Sequence, residues 1–253
     1  MKRPFASLFV LLLAFGLLAT PATAEVSRDF SQTYDLSNGG RLSLENINGN
    51  VVLEGWDGDE VKVDYTIRAR SERGLERVEV VIEAAADRIH IETDYKKRES
   101  GWNNDGGTVD FQIWVPRNTR ADEIELVNGG LEISGIRGDV KASLVNGTVD
   151  ARDLAGSVEM ESVNGTVNAT FDVLENGQSV KLETVNGTVN LKVPASADAE
   201  FEASTVHGPI QSDFDFEVEK GRYVGRSLEG VLGSGSAKVE LESVNGRINI
   251  EEN

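Results

Sequence analysis

Apolar residues alternate with polar residues along most of this chain, at the spacing of β-strands. Val158 and Met160 are separated by one polar residue, and so are Val167 and Ala169. Because successive side chains of a strand point to opposite faces, this spacing predicts strands with one buried face and one face in water. Residues 76–86 are the only stretch with an ambiguous helical pattern. The pattern therefore predicts an all-β protein.

An Asn-Gly dipeptide that follows an apolar residue divides these strands into repeats. From residue 128 onwards, successive copies are 18, 18, 22, 21 and 38 residues apart, and the last gap corresponds to about two periods. The first gap, of 80 residues, corresponds to about four periods. The copies are Asn48-Gly49, Asn128-Gly129, Asn146-Gly147, Asn164-Gly165, Asn186-Gly187 and Asn245-Gly246, with His207-Gly208 as a degenerate copy.

Each Asn-Gly pair marks a corner of the chain, because the alternation of inward residues changes phase there. The last inward residue precedes the Asn by two positions and the next follows it by three, so the chain must bend or bulge. Gly adopts positive φ without a Cβ clash, and Asn tolerates positive φ better than most residues. We therefore expect equivalent, stacked bends with positive φ at Gly147, Gly165, Gly187 and Gly246.

Two architectures are compatible with these corners. Asn-Gly hairpin turns would make an antiparallel meander, whereas one repeat per rung would make a solenoid. The near-constant spacing favours the solenoid, in which corner Asn side chains hydrogen-bond one another or neighbouring backbone. A left-handed hexapeptide helix does not suit the gaps of 21 and 22 residues. We predict a single-domain right-handed β-solenoid, similar to a β-helix, of about 18–22-residue Asn-Gly repeats.

The first 24 residues have the pattern of a secretory signal peptide. Lys2 and Arg3 precede an apolar stretch at residues 5–18, and the small residues 22–24 follow it. This order predicts cleavage before Glu25 and an exported protein, which is either periplasmic or located at the cell surface or outside the cell. We expect no transmembrane segment after cleavage.

The remaining residues, 25–253, are predicted to form the β-solenoid domain. Residues 25–120 contain irregular N-terminal strands, and residues 121–253 contain the regular Val-Asn-Gly repeats. The N-terminal strands form either wide first coils or a small sheet that caps the core. Some cap is needed, because unpaired strand edges invite aggregation.

The charge of the chain limits its partners. It carries 43 acidic and 25 basic residues, a formal net charge of −18, and no Cys. Such a surface repels nucleic acid and anionic lipid, so we expect no nucleic-acid partner. The expected partner is an envelope protein or polysaccharide of unknown identity, and a neutral or cationic one fits best. Without disulfides, burial and backbone pairing must hold the fold together.

Residues with catalytic chemistry are few. The chain has no Cys nucleophile, its two His residues, His90 and His207, are not spaced as a metal pair, and Gly233-Ser234-Gly235-Ser236 has the composition of a turn. We therefore assign no catalytic, cofactor-binding or metal residues, expect no cofactor, and predict a non-enzymatic protein. The alternative is a carbohydrate-active β-helix enzyme of the polysaccharide lyase or hydrolase type, because carboxylates are abundant.

Two loops contain candidate binding residues. Asp57, Asp59 and Glu60 offer hard oxygen ligands for Ca²⁺, but the loop lacks an EF-hand pattern, so a strand-connecting turn is the favoured interpretation. Trp102 lies in a Gly- and Asn-rich loop. This loop is a candidate binding loop for a sugar or a protein. The alternative is that the Trp102 side chain packs over the end of the core.

Three features carry a resemblance to a known family: the segments at residues 45–51 and 55–61, and the Asn-Gly rungs. Together they resemble the bacterial putative-adhesin domain family of unknown function, which is related to the head domain of auto-transporter adhesins. The resemblance covers nearly all of residues 30–253. It implies an exported β-solenoid with a role in adhesion or envelope stress.

Overall fold

The computed structural model describes residues 25–96, 107–222 and 224–253, and their secondary structure is almost entirely β. The all-β prediction is therefore confirmed. The elements, in chain order, are β1 (Val26–Asp35), β2 (Arg41–Asn48), β3 (Val51–Trp56), β4 (Glu60–Ala69), α1 (Glu72–Leu75), β5 (Val78–Ala85), β6 (Arg88–Tyr95), β7 (Thr108–Pro116), β8 (Arg120–Asn128), β9 (Leu131–Ser134), β10 (Val140–Asn146), β11 (Val149–Arg152), β12 (Val158–Thr170), β13 (Ser179–Val193), β14 (Ala199–His207), β15 (Ile210–Ser212), β16 (Val218–Lys220), β17 (Arg226–Leu232) and β18 (Ala237–Glu252).

Parallel pairing stacks these strands into two walls. The first wall contains the strand segments before each corner, paired in the order β2, β8, β10, β12, β13, β18 and β14. The second wall contains the segments after each corner, in the order β3, β9, β11, β12, β13, β18 and β15. One segment from each wall makes a rung. A nearly closed, solenoid-like stack results, and the parallel pairing excludes the meander.

The order of the rungs in space differs from their order along the chain. The rung at residues 237–252 lies between those at 179–193 and 199–212. Asn48 pairs in register with Asn128 on the adjacent rung. The estimates of about two and about four intervening periods are therefore wrong. Counting periods assumes that the chain climbs one rung per turn, whereas here it leaves the stack in excursions and returns to it.

The N-terminal excursion forms small sheets at one end of the stack. On the outer side of the first rung, β6 and β7 pair with β2 and β3. Antiparallel strands then extend each wall, β5 beside β6 and β4 followed by β1 beside β7. At the other end, β17 continues the first wall antiparallel to β14, and β16 pairs antiparallel with β17. The ambiguous residues 76–86 contain β5, so alternation rather than helical spacing decides their structure there.

The core runs between the two walls and is built from the inward residues of every rung. In the rung at residues 158–170, Ser162 and Val167 are the buried residues on either side of the corner, while Val163 and Asn164 between them are exposed. The phase of burial thus changes at the corner. Burying one Val or Leu side chain stabilises the fold by about 1.5–3 kcal/mol, so a core that continues through every rung accounts for stability without disulfides.

The corner glycines differ from expectation in their backbone conformation. Positive φ occurs at Gly49, at +124°, and at Gly129, at +156°, but not at Gly147, Gly165, Gly187 or Gly246, so the expectation is wrong for those four. Close stacking of backbones is the reason for glycine there. A Cβ on each of the four would lie 1.6–1.8 Å from the carbonyl oxygen of the glycine on the neighbouring rung. No side chain fits at that distance, whatever the φ angle.

Candidate functional site: a groove along the first wall

The residue before each corner Asn, and before His207 at the degenerate corner, is apolar and points outward from the first wall. These side chains are 38–43% exposed and stand on successive rungs. We call them the valine ridge: Val127, Val145, Val163, Val185, Val244 and Val206. Single exposed apolar residues are common, but a contiguous line of them is a feature of interaction surfaces.

A line of carboxylates runs beside the valine ridge, two residues earlier on each strand. Strand register aligns its members from rung to rung. We call it the glutamate column: Glu45, Glu125, Glu161, Glu183 and Glu242, with Ser143 and Ser204 at the equivalent positions of two rungs. Its charges have the same sign as the net charge of the chain, so the column concentrates negative potential beside an apolar line.

A groove of about 460 Å³ lies between the valine ridge and the glutamate column and is lined by residues of both. Its floor includes inward residues such as Leu144, Ser162 and Ser243. The six rungs that line it are about 4.7–4.9 Å apart, so it extends for roughly 24 Å. Its walls are two residues apart on each strand, which is about 6.6–6.8 Å.

The electrostatics of the groove favour an added positive charge. Lys181 pairs with Glu183 at 3.0 Å, and this hydrogen bond raises the pKa of the Lys181 ammonium. Desolvation raises the pKa of the Glu242 carboxyl, and the neighbouring carboxylate of Glu183 raises it further. Lys181 opposes that shift only in part. A cation between Glu183 and Glu242 would remove their repulsion.

The corner residues form a hydrogen-bonded ladder along the edge of the groove. The ladder contains, in spatial order, Asn48, Asn128, Asn146, Asn164, Asn186 and Asn245. The amide Nδ2 of each Asn after the first donates to Oδ1 of the Asn before it in this order, at 3.0 Å. His207 lies in register with Asn245. The corner glycines described above, from Gly49 to Gly246, stack beside this ladder, and Gly208 continues it with its Cβ position 1.7 Å from the carbonyl oxygen of Gly246.

A second ladder in the second wall escaped the sequence reasoning. Asn168, Asn190 and Asn249 donate in turn to Asp150, Asn168 and Asn190, each at 2.7 Å. These groups are partly buried, unlike the corner Asn residues. The signal for this ladder was an Asn four positions after the corner in successive repeats. The signal for the groove was a Glu and a Val at fixed positions before the corner. Treating these positions only as a wet face concealed both the ladder and the groove.

The acidic loop at residues 57–60 is occupied by internal contacts. Asp57 accepts a hydrogen bond of 2.8 Å from Nε of Arg117, and this contact lowers the pKa of Asp57. The backbone carbonyl of Glu60 accepts from the indole of Trp56 at 2.9 Å. Within the described ranges, no three His, Asp or Glu side chains are grouped as a metal ion would need.

The remaining candidates have local partners or lie outside the described residues. His90 is hydrogen-bonded through Nδ1 to Ser43 at 2.8 Å. Asp198 accepts from the backbone N–H of Ser234 at 2.6 Å and from its hydroxyl at 2.9 Å, so the Gly-Ser segment is a held turn. These bonds, the hydroxyl bond first, lower the pKa of Asp198. Trp102 and the segment 1–24 lie outside the described residues. No helix among the described residues has the length and apolar character needed to cross a bilayer.

Several solved structures are similar to this chain. One is a putative cell adhesion protein from Clostridium sporogenes ATCC 15579, with 16% identity, 90% of this chain and 100% of that chain covered, and a TM-score of 0.48. Another is a putative adhesin from Bacteroides fragilis NCTC 9343, with 14% identity, 88% and 97% covered, and a TM-score of 0.40. A putative lipid binding protein from Parabacteroides distasonis ATCC 8503 has 11% identity, 90% and 96% covered, and a TM-score of 0.28.

The sequence comparisons are more decisive. Curated proteins provided no match. The Toastrack DUF4097 family model matches residues 118–251, which is more than half of the sequence and contains the regular rungs. This match confirms the resemblance to the putative-adhesin domains of unknown function, and the chain belongs to the Toastrack DUF4097 family.

Proposed function

We propose that this chain is a non-catalytic, exported protein of the cell envelope, an adhesin-like binding module whose binding surface is the groove. The observation that carries this proposal is the valine ridge, a line of apolar side chains that remain 38–43% exposed on successive rungs. Leaving such a line in water costs free energy that burial against a partner would recover.

The rigidity of the walls supports a binding role. Corner glycines stack against one another, and Asn ladders join the rungs on both walls. A rigid surface loses little conformational entropy on binding. Outward residues of such a stack can also change without disturbing the core. In this proposal residues 25–253 form one domain, the coil is right-handed, and its repeat period is about 18–22 residues.

Export through the N-terminal segment is part of the proposal. The basic, apolar and small-residue order of residues 1–24 supports it. The mature protein is expected to begin near Glu25 and to fractionate with the periplasm or the cell exterior. N-terminal sequencing of the native protein, together with cell fractionation, tests this expectation. An intact Met1 on a cytoplasmic product would contradict it.

Binding without turnover is tested with the purified protein. Incubation with envelope polysaccharides and with peptidoglycan is expected to release no product. Turnover that disappears when one carboxylate is changed would establish the polysaccharide-cleaving alternative instead.

The location of the binding surface is tested by paired variants. Val163→Ser with Val185→Ser removes apolar surface from the groove, whereas Val173→Ser removes it from a site outside the groove that is 60% exposed. Partners are captured from native envelope fractions with each protein and identified. We expect the groove variant to lose a partner that the Val173→Ser protein keeps. Identical capture by the two variants would place binding elsewhere.

A further inference from the structure

We propose that the groove binds one extended polypeptide segment in the polyproline II conformation, with Lys or Arg at every third position and apolar or Pro residues between them. This inference rests on the proposed function, in which the groove is the binding surface. It adds the conformation, charge pattern and register of the partner.

The width of the groove selects an extended chain. The Cα atoms from which its two lines of side chains begin are about 6.6–6.8 Å apart. This spacing leaves room for one extended backbone between the lines, but not for an α-helix, which is about 10–12 Å across with its side chains. The groove also runs along the stack, across the strands of the first wall, so an occupant cannot add to the sheet as a further strand. A single extended chain lying along the groove satisfies both constraints.

The spacing of the rungs selects the polyproline II conformation. Two rungs span about 9.4–9.8 Å, and three residues of polyproline II span about 9.3 Å. Such a segment therefore presents every third side chain to every second rung with a mismatch of a few tenths of an ångström. A β-strand advances about 6.6–6.8 Å for each pair of residues and loses register with the rungs.

The glutamate column has carboxylates where this register needs them. Glu125, Glu161 and Glu242 stand on alternate rungs, separated by Ser143 and Glu183. Cationic residues at positions i, i+3 and i+6 each meet one of these carboxylates. The residues between them face the valine ridge, where apolar side chains and Pro bury surface.

Charge complementarity separates this occupant from two others. A second copy of the chain has the same net charge of −18 and is repelled. An anionic lipid offers an acyl chain to the valine ridge, but its headgroup meets the carboxylates of the column. A cationic segment instead relieves the repulsion between Glu183 and Glu242 that the free groove retains.

The test measures, by fluorescence anisotropy, the affinity of two labelled nine-residue peptides for the full mature protein. One peptide repeats Lys-Pro-Val three times, and the other has the same composition with the three Lys residues adjacent. We expect the periodic peptide to bind at least about tenfold more tightly, a difference of about 1.4 kcal/mol, and its affinity to fall with salt. Equal affinities would overturn the register.

Charge-matched variants locate the contact. Glu125→Gln, Glu161→Gln and Glu242→Gln together are expected to abolish the preference for the periodic peptide. Glu54→Gln, Glu132→Gln and Glu175→Gln together change the net charge equally outside the groove and are expected to leave the preference intact. Loss of preference in both triple variants would reduce the interaction to overall charge and overturn the inference.

Other outcomes separate this inference from the proposed function. Phosphatidylglycerol vesicles that bind in place of the peptides, and lose binding in the Val163→Ser, Val185→Ser variant, would overturn the peptide while retaining the groove. Self-association of the wild-type protein that the same variant abolishes would also overturn the peptide, and it would identify a second copy of the chain as the occupant of the groove. Peptide binding that the groove variants leave unchanged would overturn both the inference and the groove.

Discussion

At the scale of single residues, the corner glycines are the positions that the stack tolerates least. A Cβ at residue 165 would lie 1.7 Å from the carbonyl oxygen of Gly147, whereas a Cβ at residue 130 meets nothing closer than 3.5 Å. We expect Gly165→Ala to lower the free energy of unfolding by at least about 1–3 kcal/mol, as overpacking does. Gly130→Ala is the matched control, with a small change of either sign. Urea denaturation of both proteins would show the difference, and equal stabilities would contradict the steric explanation.

The Glu242 carboxyl gives a second prediction at this scale. Its pKa is raised in the folded state by desolvation and by Glu183, so the folded protein holds this proton more tightly than the unfolded chain. The resulting stabilisation is present below the ordinary Glu pKa and is lost as pH rises through the raised value. Between about pH 4 and pH 7, the Tm of Glu242→Gln should therefore rise relative to wild type.

Thermal unfolding across that pH range, with Glu175→Gln as an exposed control, measures this effect. The control removes a charge outside the groove, so its Tm difference from wild type should change less with pH. A Glu242→Gln difference that stays constant, or shrinks, as pH rises would show that the folded state does not raise the pKa of the Glu242 carboxyl.

At the scale of elements, sequence reasoning predicted what depends on local pattern. Alternation at Val158 and Met160 identified a strand because the side-chain period of a strand is two. The phase change at Asn164 identified a corner because the inward positions on either side of it are five positions apart, which is an odd number. Neither pattern specifies how closely the backbones of neighbouring rungs approach. The cause of the Gly at residue 165 could therefore be assigned only from the structure.

The candidate site was less accessible to sequence reasoning than the strands. Val163 and Glu161 are ordinary residues of a wet face when each strand is considered alone. Their meaning depends on the register that places Val185 and Glu183 beside them on the next rung. Register over a distance of 22 residues is a property of the assembled walls, so only the recurrence of Glu and Val at fixed positions could have indicated a groove.

The two Asn ladders should differ in their contribution to stability. Asn190→Ala would leave Oδ1 of Asn168 and Nδ2 of Asn249 unpaired in partly buried positions. Asn186→Ala, on the same rung, interrupts the exposed corner ladder, where water can replace the lost partner. We expect the first substitution to cost about 1–3 kcal/mol and the second less. Chemical denaturation gives both values, and an equal or reversed order would contradict a role for burial.

At the scale of the whole molecule, the order of the rungs decides which parts of the chain depend on one another. β18 pairs along its length with β13 on one side and with β14 and β15 on the other. The last rung in sequence is therefore an interior rung in space. Its removal separates β14 from the rest of the stack, instead of shortening the stack at one end.

Two deletions test this dependence. Deleting residues 233–253 removes β18, and it should cause the backbone amides of β14 to lose their protection from hydrogen exchange, because β14 then retains only its antiparallel partner β17. Deleting residues 25–35 removes β1, an edge strand whose one pairing within the described part of the chain is with β4. The second deletion should leave protection in β13 and β14 unchanged. Native-state hydrogen exchange on both proteins measures these effects residue by residue. If β14 keeps its protection after loss of β18, β14 can pair directly with β13, and the interior rung is dispensable to the stack.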